Sequence, residues 1–229
     1  MNKQGNTYTF LYSIVLVVVV AALLAIVALS LQPAQNKNIE NEKRQNILRS
    51  VNIPSTPENS KELFDKYIVK QFIVNSKGEE ITGDAFTVDL AKQAKKSCEE
   101  KLLPVFVANI DGATKYILPI YGNGLWGPLW GYISLNEDKN TVYGTVFDHK
   151  GETPGLGAEI TTPHFQTQFE GKMIFDNSQL VSILVKKGGG ATGAHEVDAI
   201  SGGTITSKGV ETMIKNYLTC YESFLKNKQ

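Results

Sequence analysis

The sequence has no excess of charge of either sign, because 23 Lys and Arg residues balance 23 Asp and Glu residues. Nucleic acids and other anionic surfaces attract proteins that carry clustered positive charge. We therefore expect no nucleic-acid partner. Lys3 is the only charged residue before Lys37, so the chain beyond residue 36 is also close to neutral.

Motifs of several catalytic and metal-binding classes are missing as well. The 3 histidines are far apart and share no ligand spacing, so we expect no metal site. There is no nucleophile elbow and no P-loop, and no catalytic residue is assigned. No glycine-rich dinucleotide loop leads from a predicted strand into a helix, so we expect no complete NADH-oxidising site in this chain.

Cysteine is scarce, with 2 residues in the whole chain, Cys98 and Cys220. Neither belongs to a Cys-x-x-Cys motif or to a Cys/His cluster. The pair is compatible with a disulfide in an oxidising compartment and equally with two free thiols. The sequence leaves both possibilities open.

One long apolar run stands near the start of the chain, at residues 10–31. As a helix it would extend roughly 33 Å, which matches the hydrocarbon core of a bilayer. A cleaved signal peptide is the alternative, but its apolar core is usually shorter. We predict a short N-terminal tail at 1–9 and a retained transmembrane helix at 10–31 that contacts membrane lipid.

The distribution of positive charge gives no firm orientation for this span. Lys3 precedes the span, and four basic residues follow within twenty positions: Lys37, Lys43, Arg44 and Arg49. A bare count would place the C-terminal part inside the cell. Because the preceding tail is very short, the contrast is weak, and charge alone leaves the side open.

Beyond the span, the pattern favours one α+β domain. Residues 37–51 look helical, Pro54 and Pro57 end that segment, and we place a stalk at 32–58 and the domain at 59–229. The strand and helix signals in the segments that follow predict an antiparallel sheet with peripheral helices. Strands are predicted at 68–74, 105–110, 115–120, 131–135, 141–147 and 180–186, and helices at 60–67, 91–101 and 161–171. Asp111 and Gly112 predict a hairpin between the strands at 105–110 and 115–120, and the polar turn at 136–140 predicts a second strand pair from 131–135 and 141–147.

The last predicted helix has the clearest pattern in the chain. Its apolar residues recur at spacings of three and four, and Thr206 or Ser207 is positioned to cap its N-terminus. The apolar stripe consists of Val210, Met213, Ile214, Tyr217, Tyr221 and Phe224.

The sequence Asp-Ala-Ile-Ser-Gly-Gly-Thr-Ile-Thr-Ser at 198–207 leads into this helix. Glycines expose backbone N–H groups, the hydroxyls add further polar groups, and a helix N-terminus carries partial positive charge. Such a place suits a phosphate. Composition alone also fits a simple Ser/Gly/Thr loop that caps a helix.

The motif at 198–207 resembles the flavinylation motif of the FMN-binding domain family, in which FMN is esterified to the last Thr of a Ser/Thr-Gly-Ala-Thr core. The match departs at Gly203, where the family usually has Ala. Gly-Asn-Gly-Leu-Trp at 122–126, His-Lys-Gly-Glu-Thr-Pro-Gly-Leu-Gly at 149–157 and the single N-terminal span are similar to the C subunits of sodium-translocating NADH:quinone oxidoreductases. This resemblance covers nearly the whole chain, with the pieces in the same order.

The resemblance implies that Thr204 carries FMN covalently through a phosphoester, which a separate flavin transferase attaches using FAD. It implies that four motif residues present Thr204 and the phosphate, and that three residues of the 149–157 stretch contact the isoalloxazine ring. Trp126 is a further candidate for the ring, with core packing at a tight turn as its alternative. The four presenting residues are Asp198, Ser201, Gly202 and Gly203, and the three ring contacts are Glu152, Thr153 and Leu156.

The function that the resemblance implies is an electron relay within a bacterial membrane complex. The chain would pass electrons to neighbouring redox subunits toward quinone, with its soluble domain on the outer side of the cytoplasmic membrane. Two alternatives remain: the G subunit of an ion-translocating ferredoxin:NAD oxidoreductase complex, which shares the anchor and the motif, and a membrane-anchored binding or scaffold module without redox function.

Overall fold

The computed structural model describes residues 5–227, which form two compact units divided between Lys43 and Arg44. Lys3 and the start of the predicted tail therefore lie outside the described residues. The compact unit from Arg44 begins inside the stalk predicted at 32–58, and Ile47, Leu48 and Val51 are fully buried in it.

The first helix, α1, runs without interruption over Asn6–Ser50. It contains the predicted span, with a mean hydropathy of 3.3 over an 18-residue window, and is long and apolar enough to cross a membrane. The helical segment predicted at 37–51 is part of this helix. Asn52, whose φ of 60° is left-handed, lies just beyond the last residue of α1. The N–H groups of Asn52 and Ile53 return to the carbonyls of Arg49 and Leu48, which is a Schellman cap.

A six-stranded antiparallel sheet forms the centre of the second unit, with the strand order β2-β1-β3-β4-β5-β6. This confirms the predicted fold class. The strands are β1 (Ile68–Val74), β2 (Glu80–Ile81), β3 (Leu103–Ile110), β4 (Ala113–Asn123), β5 (Pro128–Leu135) and β6 (Val142–His149).

Shorter elements surround the sheet. Two small two-stranded sheets pair β7 with β8 and β9 with β10. The helices are α2 (Ser60–Tyr67), α3 (Leu90–Gln93), α4 (Pro163–Gln166) and α5 (Thr204–Lys226), and the short strands are β7 (Phe175–Asp176), β8 (Gln179–Leu180), β9 (Leu184–Lys186) and β10 (Glu196–Asp198).

The two predicted strand pairs are confirmed. Asp111 and Gly112, with φ values of 51° and 85°, form the tight turn between β3 and β4. Positive φ at both central residues gives the turn a twist that matches the flanking strands.

Three predicted segments differ from the structure. The helix predicted at 91–101 is reduced to α3 and a 3₁₀ turn at Cys98–Glu100. The helix predicted at 161–171 is broken into α4 between two 3₁₀ turns, Gly157–Thr161 and Thr167–Phe169. The strand predicted at 180–186 is interrupted at Ser182, whose φ is 63°. Tertiary packing overrides local propensity in these short segments.

The sheet has a buried cluster on each face. On one face α5 packs against apolar side chains of the strands, among them Leu118, Leu129 and Phe147. On the other face the end of α1 packs with Phe106, Ile117 and further residues. The two clusters give the domain two separate cores with the sheet between them.

A disulfide joins Cys98 to Cys220, with their Cα atoms 5.1 Å apart and a separation of 122 positions in the sequence. It connects the 3₁₀ turn at Cys98–Glu100 to the C-terminal half of α5. Of the two possibilities that the sequence left open, the structure has the disulfide.

Candidate functional site

The motif loop ends where α5 begins, at Thr204. Capping by Thr206 or Ser207, as predicted, is wrong, because the helix starts earlier and its N-cap position is Gly203, without a side-chain cap. Ser207 instead stabilises the loop from inside the helix. Its Oγ accepts from the Ile200 N–H at 3.1 Å and donates to the Gly203 carbonyl at 2.9 Å.

Thr204 is the first helical residue and is half-buried. The first backbone hydrogen bond of α5 runs from the Ser207 N–H to the Gly203 carbonyl at 2.9 Å. The N–H groups of residues 204–206 therefore have no acceptor within the helix. These donors and the helix dipole produce partial positive charge beside the Thr204 hydroxyl, which suits a phosphate.

Two glycines of the motif allow another loop to pass close by. Gly202 has a φ of 74°, and a Cβ there would lie 2.6 Å from Leu156 Cδ2. At Gly203, where the family usually has Ala, a Cβ would meet the Leu156 carbonyl oxygen at 3.0 Å. An alanine at 203 would require a shift of a few tenths of an ångström, so the glycine allows the Leu156 loop to pack more tightly here.

The Leu156 loop and the motif loop meet at Gly202 and Gly203, and we call this contact the junction. Glu152 lies beneath the junction and is only 5% exposed. Its Oε1 accepts from the Trp126 N–H at 2.9 Å. Its Oε2 accepts from the Thr206 hydroxyl at 2.5 Å. One carboxylate thus connects the loop between β4 and β5 with the first turn of α5. The sequence singled out Glu152 but gave no sign that Thr206 would be its partner.

Four apolar side chains remain exposed around the junction. Trp126 is 69% exposed, so its alternative as a core residue is wrong. Leu156 is 42% exposed, and Thr153 beside it is exposed too. Leu125 and Ile205, at 49% and 61% exposure, were missed by sequence reasoning. The only sequence signal for Leu125 and Ile205 was that each is adjacent in the chain to a candidate site residue, Trp126 or Thr204.

Asp198 is tied to a different loop. It ends β10, and its Oδ1 accepts from the Ala191 N–H at 2.8 Å. Its own N–H donates to Gln168 Oε1 at 2.9 Å. Asp198 therefore fixes the exposed glycine stretch at 188–190 beside the motif, and Ser201, on the motif itself, is exposed to solvent.

Glu196 fixes the residues that follow the same glycine stretch. Its carboxylate forms an ion pair with Lys186 at 2.5 Å and accepts from the Thr192 and Gly193 N–H groups. The hydrogen bond from Lys186, followed by those two backbone donors, lowers the pKa of Glu196 to about 2. The carboxylate is therefore ionised at neutral pH, and it links Lys186, before the stretch, to Thr192 and Gly193, after it.

A cleft of about 750 Å³ opens beside the motif loop. Its size falls within the range of small-molecule and cofactor sites. The cleft lining includes Gly155, Glu159, His164, Gln168, Ile200 and Ser201.

Residues 5–227 contain no group of three or more His, Cys, Asp or Glu side chains that could hold a metal ion.

Gly122, Gly124 and Gly127 have the spacing of a dinucleotide-binding loop, but their setting is different. They lie in and after β4, in the connection to the antiparallel strand β5. A dinucleotide loop instead leads from a strand into a helix whose N-terminus binds the pyrophosphate. Gly122 and Gly124 serve close packing, since a Cβ would lie 2.8 Å from Met213 Cβ at the first position and 2.5 Å from Glu152 Oε1 at the second.

Comparisons with known proteins agree with this geometry. The family model of the FMN-binding domain matches residues 124–219, a stretch that contains Trp126, Glu152 and Thr204. The C subunit of the Na(+)-translocating NADH-quinone reductase of Vibrio vulnificus is 35% identical over 202 residues, covering 80% of this chain and 79% of that protein. The C subunit of the Haemophilus ducreyi enzyme is 30% identical, covering 93% and 90%.

Solved structures give the same result. The crystal structure of the C subunit of the Na(+)-translocating NADH-quinone reductase from Parabacteroides distasonis superposes with a TM-score of 0.82 at 48% identity, covering 87% of this chain and 98% of that one. The crystal structure of Shewanella oneidensis NqrC has a TM-score of 0.70 at 27% identity, covering 81% and 95%.

Proposed function

This chain belongs to the family of C subunits of the Na(+)-translocating NADH-quinone reductase, and we propose that it relays electrons through an FMN bound covalently to Thr204. The FMN-binding domain and the membership in a multi-subunit oxidoreductase follow from the family. The phosphoester to Thr204, the direction of electron flow toward quinone and the contacts to the flavin are proposals. The names of the relatives do not favour the ferredoxin:NAD alternative.

The position of Thr204 is the observation that carries the proposal. The motif contains four hydroxyls, and those of Thr206 and Ser207 are buried and engaged in hydrogen bonds. Ser201 and Thr204 reach the surface, but only Thr204 is part of α5. A phosphate esterified to Thr204 would lie beside the N–H groups of the first turn, where negative charge is stabilised.

Attachment requires an enzyme, and we propose a flavin transferase that uses FAD. The Thr204 Oγ would form a bond to the FMN phosphorus while the pyrophosphate bond of FAD breaks. AMP leaves, and the hydroxyl proton passes to a base or to solvent. The half-buried but accessible Thr204 is compatible with such an attack by a second protein.

For the ring, we propose contacts with the exposed side chains around the junction. Leu156 presents an apolar surface, and Thr153 offers a hydroxyl. The Thr153 carbonyl is occupied by the N–H groups of Leu156 and Ala158, both at 3.1 Å, which fixes this turn. Trp126 and Ile205 extend the apolar surface on the α5 side. FMN, when bound, supplies reversible acceptance of one or two electrons.

The helix α1 and the relatives are consistent with a membrane-anchored protein. We propose that the unit from Arg44 onward lies on the outer side of the bacterial cytoplasmic membrane. The disulfide between Cys98 and Cys220 supports this side, because disulfides persist in oxidising compartments and are rare in the cytosol. The electron donor and acceptor would be neighbouring subunits of the complex.

The full chain, produced together with a flavin transferase, tests the attachment. Wild-type protein should gain the mass of one FMN minus one water, and its band on a denaturing gel should fluoresce. Thr204→Ala should remove both signals completely, whereas Thr212→Ala, which removes an exposed hydroxyl of α5 outside the motif, should retain them. A dark wild-type band would favour the scaffold alternative, and fluorescence that survives in Thr204→Ala would exclude Thr204 as the attachment residue.

A further inference from the structure

We propose that Glu152 is a positioning residue for the flavin site, and that its buried carboxylate holds the Trp126 loop against the first turn of α5. This inference rests on the proposed function, because it concerns how the protein shapes the surface on which the ring lies. The family resemblance implies a direct ring contact for Glu152. The geometry points to a different role, in which both carboxylate oxygens already have donors from the protein.

The burial of Glu152 places its carboxylate out of reach of a surface ligand. The residue is 5% exposed, and Thr206, which donates to it, is 2% exposed. Trp126 and Leu156, by contrast, stand at the surface. The carboxylate therefore lies behind the side chains proposed for the ring, and acts on the ring through them.

Two glycines form the space in which the carboxylate lies. A Cβ at Gly124 would stand 2.5 Å from Glu152 Oε1, and a Cβ at Gly157 would stand 2.5 Å from Oε2. The same Cβ at Gly157 would clash with the Thr206 hydroxyl. Any side chain at either position would displace the carboxylate, so the glycines of two separate loops are matched to it.

Both oxygens of the buried carboxylate are hydrogen-bonded. Their two donors are the backbone N–H of Trp126 and the hydroxyl of Thr206, which is in the first turn of α5. A buried carboxylate held in this way is rigid, because breaking either bond leaves an unpaired polar group.

The result is a connection among three segments of the site. Glu152 belongs to the turn that carries Leu156, its Oε1 fixes the backbone of Trp126, and its Oε2 fixes α5 two residues after Thr204. Loosening this connection should move the ring surface relative to the attachment point without touching the flavin.

Thr206→Val in the flavinylated full chain tests the proposal, because it removes the hydroxyl while keeping the side-chain size. Mass spectrometry first establishes that the wild-type chain carries FMN. A wild-type chain without FMN would contradict the proposed function itself. In flavinylated Thr206→Val, we expect the ratio of reduced to oxidised flavin at a fixed ambient potential to change by at least about twofold, the size of coupling between contacting residues. Thr206→Ser should restore the wild-type ratio.

The matched control is Thr219→Val, which removes an exposed hydroxyl of the same helix that donates to the Lys215 carbonyl. It should leave the ratio unchanged. Glu152→Gln separates the two roles of the carboxylate. If Glu152→Gln shifts the ratio and Thr206→Val does not, Glu152 contacts the ring directly and the positioning role is overturned. If neither variant changes the ratio and Thr206→Val only lowers the melting temperature, the carboxylate is merely structural and the proposal also fails.

Discussion

The C-terminal end of α1 packs against one face of the central sheet, and α5 packs against the other. The C-terminus of α1 and the N-terminus of α5 differ in how their backbone groups are satisfied. On the anchor face, defined by Ile47, Leu48 and Val51, α1 ends in a Schellman cap at Asn52. The Ser134 hydroxyl, from β5, donates to the Ser50 carbonyl at 2.5 Å. Gly144 leaves room for this carbonyl, since a Cβ there would lie 2.6 Å from it.

On the other face, α5 begins without a side-chain cap at Gly203. Its far end is closed by the protein: Lys139, only 7% exposed, donates to the carbonyls of Phe224 and Asn227 at 3.3 and 2.9 Å. Burial lowers the pKa of Lys139. A helix end whose backbone groups are hydrogen-bonded by the protein has a structural role. A helix N-terminus whose backbone N–H groups have no acceptor in the helix is suited to binding an anion.

The two faces of the sheet should therefore contribute differently to stability and to the flavin site. The anchor face should determine stability, with little influence on the flavin. The α5 face should determine both, because α5 supplies core side chains along its length and Thr204 at its start. Variants on either face test this division.

Removing the disulfide should destabilise the α5 face most. Cys98→Ser combined with Cys220→Ser opens a link between residues 122 apart, and it should lower the free energy of unfolding by about 4 kcal/mol. The measurement is urea unfolding of the full chain in detergent. Wild type treated with a dithiol reductant should match the double variant, and equal stability of oxidised and reduced protein would contradict the expectation.

The same pair reports the side of the membrane. If the domain lies outside, protein alkylated directly in cells should have both thiols protected until a reductant is added. Thiols that alkylate at once would place the domain in the reducing cytosol and contradict the proposed orientation.

Leu48→Ala should destabilise the anchor face without affecting the flavin. Leu48 is fully buried, and truncating a buried leucine should lower the free energy of unfolding by about 3 kcal/mol. Folded protein should carry as much FMN as wild type, with the same potential. Ile39→Ala, on the same helix but at a 63% exposed position, is the control for stability. A changed flavin potential in Leu48→Ala would break the division between the faces.

The sequence predicted the long elements of both faces well and the short ones poorly. The apolar periodicity of α5 and the hairpin signal at Asp111 and Gly112 survive in the structure. The segment at 161–171 does not form one helix, because Gln166 turns inward to donate to the carbonyls of Phe147 and Ile160. Such a contact depends on strands distant in the chain, which local patterns do not contain.

For the candidate site, the motif pointed to the loop before the last helix, and the structure showed how the residues of that loop relate to one another. Thr204 was expected at the mouth of the last helix, and the structure places it in the first position of α5. The partnership of Glu152 with Thr206 was not predictable, since it joins residues far apart in sequence through two glycines that have no distinctive local pattern. The attachment itself stays a prediction.

The smallest expected effect lies at the ring surface. Leu156 is 42% exposed and covers Gly202, so Leu156→Ala should remove an apolar contact from the proposed flavin without opening the core. FMN should remain attached, and the reduction potential should shift by about 20 mV, which corresponds to about 1 kcal/mol for a two-electron couple. Leu184→Ala, at a 47% exposed position on β9, is the control and should leave the potential unchanged. Because this change leaves Thr204 and both cores intact, an unchanged potential would remove the Leu156 loop from the flavin site. The open end of α5 would then bind the phosphate alone.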